Sequence, residues 1–201
     1  DYQSITPGGY RFTGHAENQT TLDLIDSKDW DFVVLQNQSQ VPSWKEVDLT
    51  QYSLPSTQVL ATRIKDNFSD TQIVYFMTWG RLEGDANYCG YYALVCTFSG
   101  HTQALEEGYD LYHQNTGDLI AKTGLAWLHI VNDISTPFKS HDLWSSDGSH
   151  PSLLGSYLSA YMLFLTMFGE SNTGLPSISN IDAESRRYIE QRAYDVYLDN
   201  L

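Results

Sequence analysis

Two continuous apolar runs constrain the fold more than any other feature of this sequence. Residues 31–36 read Asp-Phe-Val-Val-Leu-Gln, and residues 71–79 read Thr-Gln-Ile-Val-Tyr-Phe-Met-Thr-Trp. Neither run alternates apolar with polar side chains, so each fits a strand that is covered on both faces. Strands of this kind belong to parallel sheets, in which a crossover, usually a helix, joins one strand to the next.

The segments around these runs have helical patterns. Between them, residues 52–68 place Leu60, Ile64 and Phe68 four apart on one helical face. We also predict helices over residues 15–27, 101–122, 153–168 and 182–198, a short strand over residues 1–6, and a strand or strand–helix junction over residues 125–130. The alternation predicts one α/β domain over residues 1–201 with a parallel sheet and right-handed crossovers.

Charge and motif content exclude several classes of function. The chain has 11 Lys and Arg residues against 25 Asp and Glu residues, a formal net charge of -14. Such a surface repels nucleic acid and anionic membranes, so neither is expected as a partner. The longest apolar stretch, residues 157–168, is too short to span a bilayer. The sequence has no phosphate-binding loop, dinucleotide-binding glycine motif or metal-ligand spacing, so we expect no cofactor and no metal.

Cysteines and glycosylation motifs indicate an oxidising compartment. Cys89 and Cys96 are too far apart for a Cys-x-x-Cys redox site, and we predict a local disulfide, with two buried free thiols as the alternative. Closing so short a loop contributes about 2.5 kcal/mol in the chain-entropy model. Sequons begin at Asn18, Asn37 and Asn67. In a eukaryotic source we expect sugar at Asn18 or Asn67, since Asn37 follows a strand that should be buried. Together these features predict a secreted glycoprotein.

One short motif carries the residues of a catalytic site. Asp147 and His150 lie three residues apart, directly before the predicted helix over residues 153–168. An Asp at this spacing can hold one ring nitrogen of the His, leaving the other to take a proton from a nucleophile. Pro151 suits the first position of a helix, which would place His150 at the mouth of that helix. On spacing alone, however, a turn followed by a helix cap is the stronger interpretation.

A family resemblance changes that balance. Asp147-Gly-x-His-Pro-Ser-x-x-Gly155 resembles the last conserved block of the SGNH hydrolases, the superfamily of GDSL-like esterases and lipases. The stretch Trp30-Asp-Phe-Val-Val-Leu-Gln-Asn-Gln-Ser-Gln40 resembles a strand of one branch of that superfamily. Further similarity to that branch lies at residues 76–80, 89–96 and 124–127, so the resemblance runs from about residue 4 to residue 168. It implies a flavodoxin-like three-layer α/β/α sandwich with strand order 2-1-3-4-5.

The resemblance also implies roles for individual residues. His150 would be the general base and Asp147 the partner that orients it. The donors of the oxyanion hole would be the backbone amide of Gly8 or Gly9 and the side-chain amide of Gln38 or Asn37. Each such donor can lower the barrier by about 3 kcal/mol. For residues 36–40 the alternative is a polar strand end that satisfies nearby backbone groups.

The sequence departs from the family at the nucleophile. It has neither the Gly-Asp-Ser or Gly-Asn-Ser block of the family nor a Gly-x-Ser-x-Gly elbow. It begins where the second strand of the family would begin, and the missing first strand is an inner one. Without it, the strand over residues 31–36 would expose unpaired backbone groups. We therefore expect residues 1–201 to be an incomplete domain that does not fold as a lone monomer, and that a preceding segment or a second chain completes the sheet.

These observations lead to two hypotheses. The first is a secreted SGNH-type serine ester hydrolase that acts on acyl or acetyl esters, including those of carbohydrates. Its nucleophilic serine lies outside this sequence, so residues 1–201 alone would be inactive. The second is a non-catalytic structural or assembly subunit of an extracellular complex that uses the same fold.

Overall fold

The computed structural model describes residues 1–169 and 180–201. The helices in these residues are α1 (Phe12–Glu17), α2 (Gln19–Ile25), α3 (Glu46–Tyr52), α4 (Leu54–Asn67), α5 (Ala86–Cys89), α6 (Phe98–Thr116), α7 (Thr123–Asn132), α8 (Leu153–Phe168) and α9 (Ala183–Asp199). The strands are β1 (Phe32–Leu35), β2 (Gln72–Phe76) and β3 (Leu119–Ala121). Short 3-10 turns cover Val41–Ser43, Ala93–Cys96 and Ser140–Leu143.

The three strands form a parallel sheet in the order β1-β2-β3. Successive side chains of a strand point to opposite faces of the sheet. On one face, Ile73 and Tyr75 pack with side chains of α1, α4 and α6. On the other face, α8 contacts β2 and β3, and it packs with α7 and α9 around Trp127. This is the predicted α/β/α sandwich with a parallel sheet.

The second apolar run forms a strand that is covered on both faces, as the sequence predicted. Ile73, Val74 and Tyr75 of β2 are all 0% exposed. The helices predicted over residues 52–68, 153–168 and 182–198 are confirmed as α4, α8 and α9. The helix predicted over residues 15–27 is two helices, because Asn18 ends α1 and caps α2 by accepting a hydrogen bond from the backbone N–H of Thr21.

One edge of the sheet is uncovered. β1 pairs with β2 on one side, and none of the strands described here pairs with its other side. Val34 is 42% exposed, although Val74, its partner in register, is 0% exposed. Beside it, the ring of Phe32 contacts that of Phe168, which is 54% exposed, with 5.7 Å between the centroids. An apolar edge strand of this kind is a ready template for a further strand.

The strand predicted over residues 1–6 is wrong. No regular element precedes α1, and none of the three strands of the sheet pairs with these residues. An extended segment needs a neighbouring strand to satisfy its backbone groups, and this segment has none.

The prediction was also wrong around α6. The helix runs over Phe98–Thr116 rather than residues 101–122, because Thr97 caps its start and the chain turns extended at Gly117. Leu119, which the sequence pattern placed on the helix, lies in β3. Residues 125–130 belong to α7 and not to a strand. A short apolar run that is buried on most sides does not distinguish the two structures.

The predicted disulfide is confirmed. Cys89 and Cys96 are bonded, with their Cα atoms 4.7 Å apart. The bond closes a loop that contains the end of α5 and the 3-10 turn over Ala93–Cys96. In the part of the chain that the structure describes, no helix has the length and apolar character needed to cross a membrane.

Close packing at Gly108 yields a stability prediction. A Cβ atom at this position of α6 would lie 1.8 Å from the carbonyl oxygen of Pro42. We expect Gly108→Ala to lower the free energy of unfolding by about 3 kcal/mol. The added carbon would force α6 away from the 3-10 turn over Val41–Ser43, which contains Pro42. Urea denaturation of the full-length protein would measure the change. Gly90→Ala is the control, since Gly90 has an ordinary φ of -65 and no atom within 4 Å of the added carbon. Equal unfolding midpoints for the two variants would contradict the prediction.

Candidate active site

A tight loop carries the predicted catalytic residues. We call residues 144–150 the histidine loop; it connects the 3-10 turn over Ser140–Leu143 to the start of α8. Trp144 and Pro151 form an antiparallel bridge across its base. Within it, the backbone N–H of Ser145 donates to the carbonyl of His150 at 2.8 Å. Gly148 has φ +66, a conformation that favours glycine, and closes the turn.

The histidine loop brings Asp147 and His150 into direct contact. Nδ1 of His150 is 2.6 Å from Oδ2 of Asp147. Oδ1 of Asp147 accepts the backbone N–H groups of Ser149 and His150 at 2.8 and 2.9 Å. The bond from His150, followed by these backbone bonds, lowers the pKa of Asp147 to about 2, so the carboxylate is ionised at neutral pH. The His150 side chain is 80% exposed, which leaves Nε2 accessible to a reactant.

The residues after His150 fix the start of α8. Oγ of Ser152 caps the helix by accepting the backbone N–H groups of Leu154 and Gly155. A Cβ at position 155 would lie 2.3 Å from the carbonyl oxygen of Leu143 and 2.5 Å from the ring of Trp127, so the helix can pack here only with glycine. Pro151 was predicted as the first helical residue. It lies instead before the cap, because the base of the loop holds it in the bridge with Trp144.

Asn37, one of the predicted oxyanion donors, is a buried structural residue here. It is 1% exposed. Its Oδ1 accepts the backbone N–H groups of Phe12 and Gln38, which ties α1 to the carboxyl end of β1. Its Nδ2 donates to the hydroxyls of Ser53 and Tyr112, both at 3.1 Å. Both amide protons therefore have partners, and neither is left for a reacting oxygen.

Gln38, unlike Asn37, has a side-chain amide proton that can be donated to a reacting oxygen. Its Nε2 donates to Oε1 of Gln40 at 3.3 Å, and its Oε1 accepts the backbone N–H of Gln40 at 3.2 Å. An amide nitrogen has two protons, and among the hydrogen bonds of the described residues the second proton of Gln38 has no acceptor. Gly8 and Gly9 lie in an exposed turn before α1, where Gly9 has φ +69. Among the hydrogen bonds of the described residues, none joins Gly8, Gly9, Gln38 and His150 to one another.

Residues 79–82, which follow β2, hold the histidine loop in place. We call them the brace segment. The indole Nε1 of Trp79 donates to the carbonyl of Ser149 at 3.0 Å. The backbone N–H of Leu82 donates to the carbonyl of Gly148 at 2.9 Å. Because the brace segment begins soon after β2 ends, the Asp147–His150 pair is anchored at the carboxyl end of the sheet, where open α/β sheets bind their ligands.

Three tryptophan rings, one of them from the histidine loop, form a cluster beside that loop. Trp79 and Trp127 are parallel, with 4.2 Å between their centroids, and Trp127 meets Trp144 edge-on at 4.7 Å. The indole Nε1 of Trp144 donates to the carbonyl of Gly80 at 3.2 Å. The brace segment, the histidine loop and α7 therefore share one aromatic cluster.

Sequence reasoning missed a buried polar group beside this end of the sheet. Asp85 is 0% exposed. Its two carboxylate oxygens accept hydrogen bonds from Nε2 of Gln40 at 2.8 and 2.9 Å. The guanidinium of Arg81 is 3.8 Å from the same carboxylate. Nothing in the local sequence marks Asp85 as buried, since it follows a glycine in a polar loop. Only the fold brings the loop after β1 against it.

The other predicted site residues are partly accessible. Nδ2 of Asn18 donates to the hydroxyl of Tyr10 at 3.2 Å, and Nδ2 of Asn67 donates to the carbonyl of Lys28 at 2.7 Å. Both asparagines are half-buried, and their glycosylation stays a prediction. Within residues 1–169 and 180–201, no group of three His, Cys, Asp or Glu side chains converges as a set of metal ligands.

This sheet, its helical layers and its histidine loop form an SGNH-like fold, and comparison with solved structures supports that assignment. A DUF4886 family protein from Bacteroides uniformis ATCC 8492 matches with a TM-score of 0.78 and 18% sequence identity, over 96% of this chain and 81% of that chain. A candidate SGNH hydrolase from Slackia heliotrinireducens matches with a TM-score of 0.62 and 25% identity, over 80% of each chain. No protein-family model and no curated protein sequence matches the chain.

Proposed function

We propose that this protein is a serine ester hydrolase of the SGNH type. The observation that carries the proposal is the 2.6 Å bond between Nδ1 of His150 and the carboxylate of Asp147, on a loop anchored at the carboxyl end of an SGNH-like sheet. That arrangement holds the imidazole with Nε2 free to take a proton, which is what a serine nucleophile requires.

The reaction proceeds in two acyl-transfer steps. A serine hydroxyl gives its proton to Nε2 of His150 while its oxygen attacks the ester carbonyl carbon. Asp147 stabilises the imidazolium that forms, and the oxyanion accepts the free N–H of Gln38 and a backbone amide of Gly8 or Gly9. The intermediate collapses, and the alcohol leaves with the proton from His150. Water, activated by the same imidazole, then releases the acid and restores the serine.

The nucleophile belongs to a segment outside these 201 residues. The free edge of β1 supports this part of the proposal, because it offers unpaired backbone groups and the exposed Val34 to an additional parallel strand. A strand paired there would end at the same edge of the sheet as β1. Its following loop would therefore lie on the side where the brace segment anchors the histidine loop.

The substrates are acyl or acetyl esters, including those of carbohydrates. The exposure of the His150 side chain supports an open site that admits a bulky alcohol. The disulfide between Cys89 and Cys96 supports a secreted protein, because such bonds persist in oxidising compartments. The chemistry requires only protein side chains and water.

The rival function is a non-catalytic subunit of an extracellular complex. The observation that favours it is the same free edge of β1, which a strand from another chain would fill equally well. In that case no serine reaches His150, and the Asp147–His150 pair only shapes the loop.

A serine-directed fluorophosphonate probe separates the two functions. We expect the native full-length protein to be labelled on one serine and to hydrolyse p-nitrophenyl acetate, with both signals absent from the His150→Ala variant. Labelling that survives in that variant, or a folded native protein that is neither labelled nor active, would favour the non-catalytic subunit.

A further inference from the structure

Two side chains in the first turn of α6 hold the brace segment. Nδ1 of His101 accepts the backbone N–H of Arg81 at 3.1 Å. Oγ1 of Thr102 accepts the backbone N–H of Gly80 at 3.2 Å. Both side chains are 0% exposed, so no water competes for these two bonds.

Gly80 lets the brace segment lie directly on α6. A Cβ atom at this position would be 2.6 Å from the carbonyl oxygen of Phe98 and 2.7 Å from Oγ1 of Thr102. The carbonyl of Gly80 accepts the indole N–H of Trp144, a residue of the histidine loop. Gly80 is thus bonded to α6 on one side and to the histidine loop on the other.

The imidazole of His101 is suited to act as an acceptor. Burial lowers its pKa to about 4, so the ring is neutral at physiological pH. Because Nδ1 accepts the N–H of Arg81, the proton of the neutral ring belongs on Nε2. Nε2 is buried, and it has no hydrogen-bond partner among the residues that the structure describes. Among the hydrogen bonds of the described residues, the bond from the Arg81 amide is therefore the one that this imidazole makes.

We propose that His101 is a positioning residue for the Asp147–His150 pair. Its Nδ1 fixes the backbone of the brace segment at Arg81, and the brace segment in turn holds the histidine loop at Gly148, Ser149 and Trp144. The effect on catalysis rests on the proposed hydrolase function, whereas the effect on the position of the loop does not.

The test uses two substitutions of His101 in the full-length protein. His101→Asn keeps an acceptor oxygen close to the position of Nδ1, whereas His101→Leu fills the site without an acceptor. We expect kcat for p-nitrophenyl acetate to fall about 10–100-fold in the leucine variant with KM nearly unchanged, because the general base is displaced while binding survives. The asparagine variant should recover most of that loss.

Hydrogen exchange of the Leu82 amide reports on the loop independently of activity. This N–H donates to Gly148, so it should exchange about tenfold faster in the leucine variant and return towards the native rate in the asparagine variant. If the leucine variant does not fold, His101→Met, whose side chain also lacks a nitrogen or oxygen acceptor, takes its place in the same comparison with the asparagine variant.

The outcomes separate the two proposals. One outcome is that the Leu82 amide exchanges faster in the leucine variant than in the asparagine variant, while the parent protein does not hydrolyse the ester. That outcome supports the positioning role and rejects the hydrolase function. Hydrolysis with equal kcat and equal Leu82 exchange in both His101 variants supports the hydrolase and overturns the positioning role.

Discussion

His150→Ala is expected to lower kcat for ester hydrolysis by about 10³–10⁴-fold while KM changes little. The imidazole makes a hydrogen bond with Asp147 at Nδ1, and the exposure of its side chain leaves Nε2 open to a reactant. In the proposed mechanism, removing it takes away the general base of both acyl-transfer steps and leaves the oxyanion donors in place. Steady-state kinetics with p-nitrophenyl acetate on the full-length protein would measure the loss.

His141→Ala is the matched control. His141 is 59% exposed on the neighbouring 3-10 turn and pairs with Asp142 at 3.5 Å, so it resembles His150 in chemistry and accessibility. Its removal should leave kcat within about twofold, as for a surface substitution away from the site. Comparable kcat values for both variants would remove His150 from the mechanism.

The lowered pKa of Asp147 predicts how the activity measured in the kinetic assay depends on pH. Because its folded pKa, about 2, lies below the ordinary value of 3.8, the bond to His150 is fully present above 3.8 and is lost as pH falls through 2. Asp147 therefore stays ionised at every pH suited to an esterase assay. A fall of kcat/KM with acid above pH 4 would belong to another group.

The isolated 201-residue polypeptide is expected to lack a cooperative, reversible unfolding transition. β1 is an edge strand with apolar side chains on its uncovered side, and Val34 is 42% exposed. Unpaired strand edges and exposed apolar surface promote association before unfolding is complete. Urea denaturation followed by circular dichroism and by light scattering would detect this. A reversible transition that is independent of protein concentration would contradict the prediction.

A matched pair of substitutions tests whether a further strand covers β1 in the full-length protein. In a completed sheet Val34 is buried, so Val34→Thr should lower the free energy of unfolding by about 1–2 kcal/mol in the full-length protein. Val47→Thr in α3, at a side chain that is 65% exposed, should have an effect below about 0.5 kcal/mol. Equal effects for the two variants would mean that nothing covers β1 at Val34.

The elements that could be predicted from the sequence are those with a long local run of apolar residues. β1 and β2 were evident because each contains an unbroken run of four apolar residues, and α8 because apolar residues lie on nearly all of its sides. β3 was missed because it has only three residues, Leu119–Ala121, and follows a long helix closely. A strand so short is defined by its pairing with β2, which no local pattern encodes.

Part of the candidate site could be predicted and part could not. Asp147 and His150 are three residues apart, so their contact follows from local geometry and the surrounding motif. His101 contacts the Arg81 backbone, which is 20 residues away, and Asp85 contacts Gln40, which is 45 residues away. A polar residue in a helix or loop is normally solvated. Their burial, and the commitment of both amide protons of Asn37, depend on tertiary contacts alone.

The cluster of Trp79, Trp127 and Trp144 makes intrinsic tryptophan fluorescence a probe of the histidine loop. These are three of its 5 tryptophans, and two of them donate indole hydrogen bonds that join the brace segment to the histidine loop. Indole emission depends on ring stacking and on the polarity around the N–H group. Intrinsic fluorescence should therefore change when the backbone that supports the His150 imidazole moves, and the change can be followed without attaching a dye.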